Sequence, residues 1–347
     1  MRDEALRSKL TALRGKLLKR GDYAGLSRLG SVEAVGEALR NHPGYSAVIA
    51  SLTAEQLRRV PLERRLIFSV TDDYRGVYRF VTDHQTRRLM DVFFMKYELR
   101  IVRTLLGNVF DGRPNDFDPE ELGRETSARL GGRLPDLLAA KTLPGFVAAL
   151  EGTAYYRPLA QAYREGASLF TLETQLELFY YLKLWNAANT RREKKDSELL
   201  KLFVGTEIDL KNIMRVYRSK RYYGMDAPRV YACLVPAGYN VHTSELKRVV
   251  ESKEELPARK YKNVFTGDAG LERGYHAAMS ETAARVYSGG ADSSALILAY
   301  LYYKEREADN LISLIECVRY GLPTDMTMSY LRLPGDGAAR NTNGAAN

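Results

Sequence analysis

The stretch LFVGTEIDLKNIMRVYRSKRYYG, Leu202 to Gly224, decides the fold, because two other segments repeat its pattern. They are DVFFMKYELRIVRTLLGNVFDG, ending at Gly112, and LAYLYYKEREADNLISLIECVRYG, ending at Gly321. Aligned on one acid each, Glu98, Asp209 and Glu307, the three share an apolar face. It comprises Leu99, Val102 and Leu106; Leu210, Ile213, Met214 and Tyr217; and Ala308, Leu311, Ile312 and Ile315. Offsets of three, four and seven are helical, and a glycine just beyond the last turn takes the left-handed conformation that closes a helix. One position breaks the pattern: Arg103 stands where the other copies carry Met214 and Ile312.

The repetition extends upstream. Leu62-Glu63, Leu172-Glu173 and Leu271-Glu272 precede the three acids by nearly constant distances, 35, 36 and 35 residues from glutamate to acid. Tyr45 and Tyr155 each stand 18 residues before their glutamate, where the third copy has Glu254. The reading is therefore all-α, with helical copies over residues 1–113, 114–226 and 227–333. The first boundary, DGRPNDFDPEEL, holds two prolines and a glycine, and Asp118 followed by Pro119 suits a helix start. At the second boundary Arg229–Val235 reads as extended chain, and Thr243 or Ser244 as the cap of the next helix. Earlier in the chain, a leucine pattern from Leu6 to Leu17 should stop at a Gly21-Asp22 turn. Ser31 should cap a helix, and Thr53 with Gln56 has capping-box spacing. The tail, residues 334–347, is small and polar and is expected to be disordered.

Composition narrows the function. With 347 residues, 45% hydrophobic and 27% charged, the chain has ordinary globular usage. Its net charge of +9 favours an acidic partner, nucleic acid or an anionic membrane face without choosing among them. Two cysteines, Cys233 and Cys317, lack metal or disulfide spacing and suit buried small hydrophobes. The apolar runs Leu178–Leu182 and Ala295–Tyr303 are far shorter than the ~20 residues of a membrane span. No phosphate-binding glycine loop, zinc-protease motif or nucleophile elbow occurs. His42, His84, His242 and His276 share no ligand spacing and read as surface or half-buried polar residues. No catalytic residue, cofactor site or metal site is expected.

The anchor acids admit two readings: a functional ring of carboxylates, or structural groups paired with an arginine or helix terminus of their own copy. The second is favoured, since a buried unpaired carboxylate is costly. Asn212 and Asn310, one turn further on, suit hydrogen bonds to a neighbouring loop, whereas the first copy has Ile101 there. The basic link Arg191, Arg192, Lys194 and Lys195 is a candidate partner surface, with an ordinary solvated turn as the alternative.

The runs IDLKNIMRVYR and AYLYYKEREADNLISLIECVRYG, with LVPAGYN between them, resemble the C subunit of bacterial and archaeal V/A-type rotary ATPases, related to the eukaryotic d subunit. The resemblance runs from about residue 1 to Leu333 and rests on the acid-x-x-Asn-Ile/Leu core within a threefold repeat. It implies three similar helical domains about a pseudo-threefold axis, forming a funnel-shaped, non-catalytic central-stalk subunit. Its implied partners are the membrane proteolipid ring and the axle subunits D and F, with one copy per complex on the cytoplasmic face. There it would link ion translocation, of protons or sodium, to ATP hydrolysis or synthesis by rotation. A basic α-helical nucleic-acid-binding or scaffold protein is the rival, suggested by the charge and by 23 tyrosines among Arg and Lys.

Overall fold

A computed structural model describes residues 2–115, 128–190, 194–252, 270–289 and 293–333. Among these residues every regular element is helical and no strand occurs. Three pairs of long helices, each pair consecutive in the chain, dominate: Arg59–Tyr78 with His84–Phe110, Leu169–Ala188 with Lys194–Arg218, and Leu271–Ser288 with Ser293–Arg319. The second member of each pair carries the anchor acid, and its closing glycine is left-handed, with φ of 66° at Gly112, 53° at Gly224 and 65° at Gly321. Two of the three ends are closed by the same backbone bond across the last turn. Arg113 N–H donates to Asn108 C=O at 2.8 Å, and Leu322 N–H to Cys317 C=O at 3.0 Å. The Lys194–Arg218 helix ends differently, widening into a π-helical turn at Ser219–Tyr223 before Gly224.

By internal contacts the chain divides into two units, residues 1–87, 191–206 and 258–347 in one and 88–190 with 207–257 in the other. In the first, the short helices Arg20–Leu26 and Val32–Arg40 pack on the third anchor helix, and Ser46–Ile49 packs on Val32–Arg40 and on Arg59–Tyr78. The core joins Tyr23, Val35, Leu39 and Ile49 to Leu311, Leu314 and Ile315, from opposite ends of the chain. Each such side chain contributes roughly 1.5–3 kcal/mol on leaving water. Ser31 caps its helix by accepting from Ala34 N–H at 3.1 Å. Thr53 and Gln56 form their box on a short 3-10 turn, and the long helix begins only at Arg59. The expected Gly21-Asp22 turn is instead the opening of Arg20–Leu26, because Asp22 reaches back to Lys19 N–H at 2.7 Å.

In the second unit helix Tyr156–Arg164 packs beside Leu169–Ala188, Leu143–Ala149 packs on Tyr156–Arg164, and Leu134–Ala139 packs on Leu143–Ala149. Pro135 and Pro144 sit in the first turns of their helices, where a missing N–H costs nothing. Arg229–Val235 is not extended. Ala227–Ala232 is a short helix capped by Asp226, which accepts from Arg229 N–H at 3.3 Å, and the β-branched content there reflects burial of Val230. His242, not Thr243 or Ser244, is the residue preceding helix Thr243–Glu251, and its side chain makes no capping bond. The expected helix start at Asp118 and the tail beyond Leu333 lie outside the described residues.

Candidate functional site

Each anchor acid is a fastening point. Glu98 is buried and accepts from Tyr155 Oη at 2.6 Å, while the Arg129 guanidinium donates Nε to it. Arg129 is itself oriented by Asp91, through the side chain at 2.9 Å and the backbone carbonyl at 2.7 Å, and its guanidinium lies 4.9 Å over the Phe94 ring. Burial, then the Glu98 charge, pushes the Tyr155 hydroxyl far above its ordinary range, so it remains a donor.

Asp209 has no exposed surface and accepts two backbone bonds, from Tyr239 N–H at 3.0 Å and Asn240 N–H at 2.7 Å. Gly238 makes that approach possible, since a Cβ there would stand 2.2 Å from Asp209 Oδ1. Three residues on, Asn212 clasps Val235 in both directions, donating to its C=O and accepting from its N–H, each at 2.9 Å.

Glu307, also buried, accepts from Tyr45 Oη at 2.7 Å, from Lys304 Nζ at 3.1 Å and from the backbone N–H of Leu18. Lys304 lies over the Tyr45 ring at 4.0 Å. Asn310 repeats the clasp on Arg332, donating to its C=O at 3.2 Å and accepting from its N–H at 2.8 Å. Asn212 and Asn310 thus act 23 and 22 residues ahead in the chain, whereas the side chain of Ile101 can form no such bond.

The expectation that each acid pairs within its own copy is corrected by this geometry. Glu98 is held by the second copy, Asp209 by the third, and Glu307 mainly by the first. The physical reason for the first two is reach: their partners sit on the segment that opens the following copy and folds back over the preceding anchor helix. All three carboxylates are engaged with donors, which leaves no ring of open acids. Arg129 carried no signal in the sequence, and Gly238, Tyr239 and Asn240, though they lie in the LVPAGYN run, carried none that tied them to Asp209. The shared spacing of Tyr45 and Tyr155 was the one signal available.

The remaining candidates fall elsewhere. Arg191 and Arg192 lie outside the described residues, Lys194 opens the second anchor helix, and Lys195 is exposed. His276 is buried, contrary to expectation, with Arg306 Nη1 at 3.0 Å and Arg332 Nη1 at 3.1 Å from its Nε2. Cys233 and Cys317 are buried, and burial raises both thiols. Among the described residues no group of three His, Cys, Asp or Glu could hold a metal, and no helix is long and apolar enough to cross a membrane.

Residues 6–330 match the family described as ATP synthase (C/AC39) subunit. The chain belongs to that family. Among its relatives, the C subunit of the A-type ATP synthase of Methanosarcina barkeri is 23% identical over 337 residues, covering 93% of this chain and 91% of that one. The corresponding subunit of Thermococcus kodakarensis is also 23% identical, covering 93% and 88%. That of Methanosphaera stadtmanae is 25% identical over 246 residues, an alignment spanning 69% of this chain and only 60% of the relative. This family member is a subunit of a rotary ATPase, a stalk component and not the catalytic one. Among the tyrosines that suggested nucleic-acid stacking, Tyr23, Tyr45, Tyr74, Tyr155, Tyr300 and Tyr302 are buried and serve it as core.

Proposed function

We propose that this chain is the central-stalk coupling subunit of its rotary ATPase, seated on the cytoplasmic face between the membrane proteolipid ring and the axle subunits D and F. In this reading its three copies surround a pseudo-threefold axis and offer the axle a socket, and one molecule serves each complex. Rotation of the ring is passed to the axle, or the reverse, so that ion translocation and ATP hydrolysis or synthesis stay linked.

The observation that carries the reading is the order of the fastenings. First copy to second, second to third and third to first, each anchor acid is gripped by the next copy in cyclic order. A joint that transmits torque must not shear between its parts. Buried charge-assisted bonds resist shear because parting them strands an ion in a low-dielectric interior, at about 3–5 kcal/mol each. Close-packed helices between the fastenings transmit strain rather than absorbing it.

The test is purification of a tagged chain from solubilised membranes. Recovery of the proteolipid ring and axle subunits together, with no ATP hydrolysis by the chain alone, is the expected result. Recovery without the ring, or robust hydrolysis by the pure chain, refutes the proposal. Tight, steeply salt-dependent binding of DNA or RNA would instead establish the rival class.

A further inference from the structure

The second unit contains a cavity of about 310 Å³ that none of the fastenings uses. One wall is a basic stripe on the first anchor helix, Lys96, Arg100 and Arg103, spaced four and three residues apart and so on one face. The facing wall, on helix Leu169–Ala188, supplies Glu173, Glu177, Tyr180 and Tyr181.

The fold does not need this stripe. At the equivalent positions the second copy carries Glu207, Lys211 and Met214, and the third Glu305, Asp309 and Ile312. Only the first copy is basic at all three, and Arg103 is the residue that interrupts an otherwise apolar face.

The carboxylates opposite do not use up the positive charge. Arg103 Nη2 meets Glu173 at 3.4 Å, a long contact, and its Nε is enclosed without an acceptor among the described residues. Glu177 is held by Arg215, at 3.0 Å. Burial pushes the Glu177 carboxyl up, but Arg215, Lys211 and Arg103 outweigh it and hold the group below its usual range. Glu177 is matched by Arg215 from outside the lining and Glu173 by Arg103 within it, so the positive charge of Lys96 and Arg100 stands in excess of the cavity's carboxylates. Lys96 rests on the faces of Phe93 and Tyr97.

We propose that this cavity is an anion site taking a phosphate group, free or as the head of a small phosphate ester, on Lys96, Arg100 and Arg103. Guanidinium forks match tetrahedral oxyanions, and three cations set along a helix face address several oxygens at once, which a carboxylate's two oxygens exploit less well. The volume lies at the small end of ligand cavities, enough for a phosphate with a short substituent.

The test is calorimetric titration of the full chain at neutral pH with sodium phosphate, glycerol phosphate, sodium succinate and sodium chloride at matched ionic strength. Saturable binding of phosphate or the ester is expected, the better of the two identifying free ion or head group. Arg100→Gln, at an exposed position, and Arg103→Met, the residue the second copy carries, should together weaken binding by about tenfold or more, as loss of charge-assisted bonds implies. Arg229→Gln, at an exposed charge outside the cavity, should leave it unchanged. Equal binding of succinate, no saturable binding, or unaltered affinity in a double variant of native helicity overturns the proposal. None of these outcomes bears on co-purification with the ring, so the coupling reading stands or falls separately.

Discussion

Substituting Gly238 by alanine should unfasten the second anchor. The new Cβ would stand 2.2 Å from Asp209 Oδ1 and 3.0 Å from Val241 C=O, so the loop must retreat by about an ångström. The two bonds at risk come from the next two residues, Tyr239 N–H and Asn240 N–H. Hydrogen bonds to a charged group contribute about 1.5–3 kcal/mol each, so losing both costs about 3–6 kcal/mol. That is a large share of the ~5–15 kcal/mol by which a domain is stable. Trp185, the single tryptophan, belongs to the same contact unit and reports on it. With a urea dependence of about 2 kcal/mol per molar, the fluorescence midpoint should fall by about 2 M. A double-mutant cycle isolates the cause. In an Asp209→Ala background the clashing oxygen is gone, and Gly238→Ala should cost under about 1 kcal/mol, a coupling expected only between groups in contact. An equal cost in both backgrounds would refute the reasoning.

Asn212→Ala should lower stability, read at Trp185, by about 2–3 kcal/mol, since Val235 loses a donor and an acceptor in a buried place, whereas Ile101→Asn in the first copy should bring no gain. Tyr155→Phe removes one donor from buried Glu98 but leaves Arg129, so a loss of about 1–3 kcal/mol by urea titration is expected; no loss would mean the tyrosine only fills space. Glu177 has a folded-state pKa below its unfolded value, so its stabilisation is present above the unfolded carboxylate range and is lost as pH falls through the folded one. Glu177→Gln should therefore flatten the acid limb of a stability profile, while costing about 3–5 kcal/mol at neutral pH by stranding Arg215.

The all-helical class, the three long anchor helices and their closing glycines were legible in the sequence, because helical periodicity and left-handed glycine are local properties of neighbouring residues. The same locality explains the Ser31 cap. It also explains the error at Arg229–Val235: β-branched residues signalled an extended chain, but Asp226 and burial of Val230 make a short helix there. The anchor acids were visible as a repeated spacing, yet which group grips each was not. Tyr45 meets Glu307 across 262 positions and Tyr155 meets Glu98 across 57, pairings that no spacing within one copy encodes. Gly238 reads as an ordinary loop glycine until Asp209 is placed against it, and the basic stripe as a solvated face until Glu173 and Glu177 stand opposite it. Local chemistry sets what each segment becomes; which carboxylate a distant hydroxyl or amide reaches depends on how helices far apart in the chain pack, and only the folded molecule decides that.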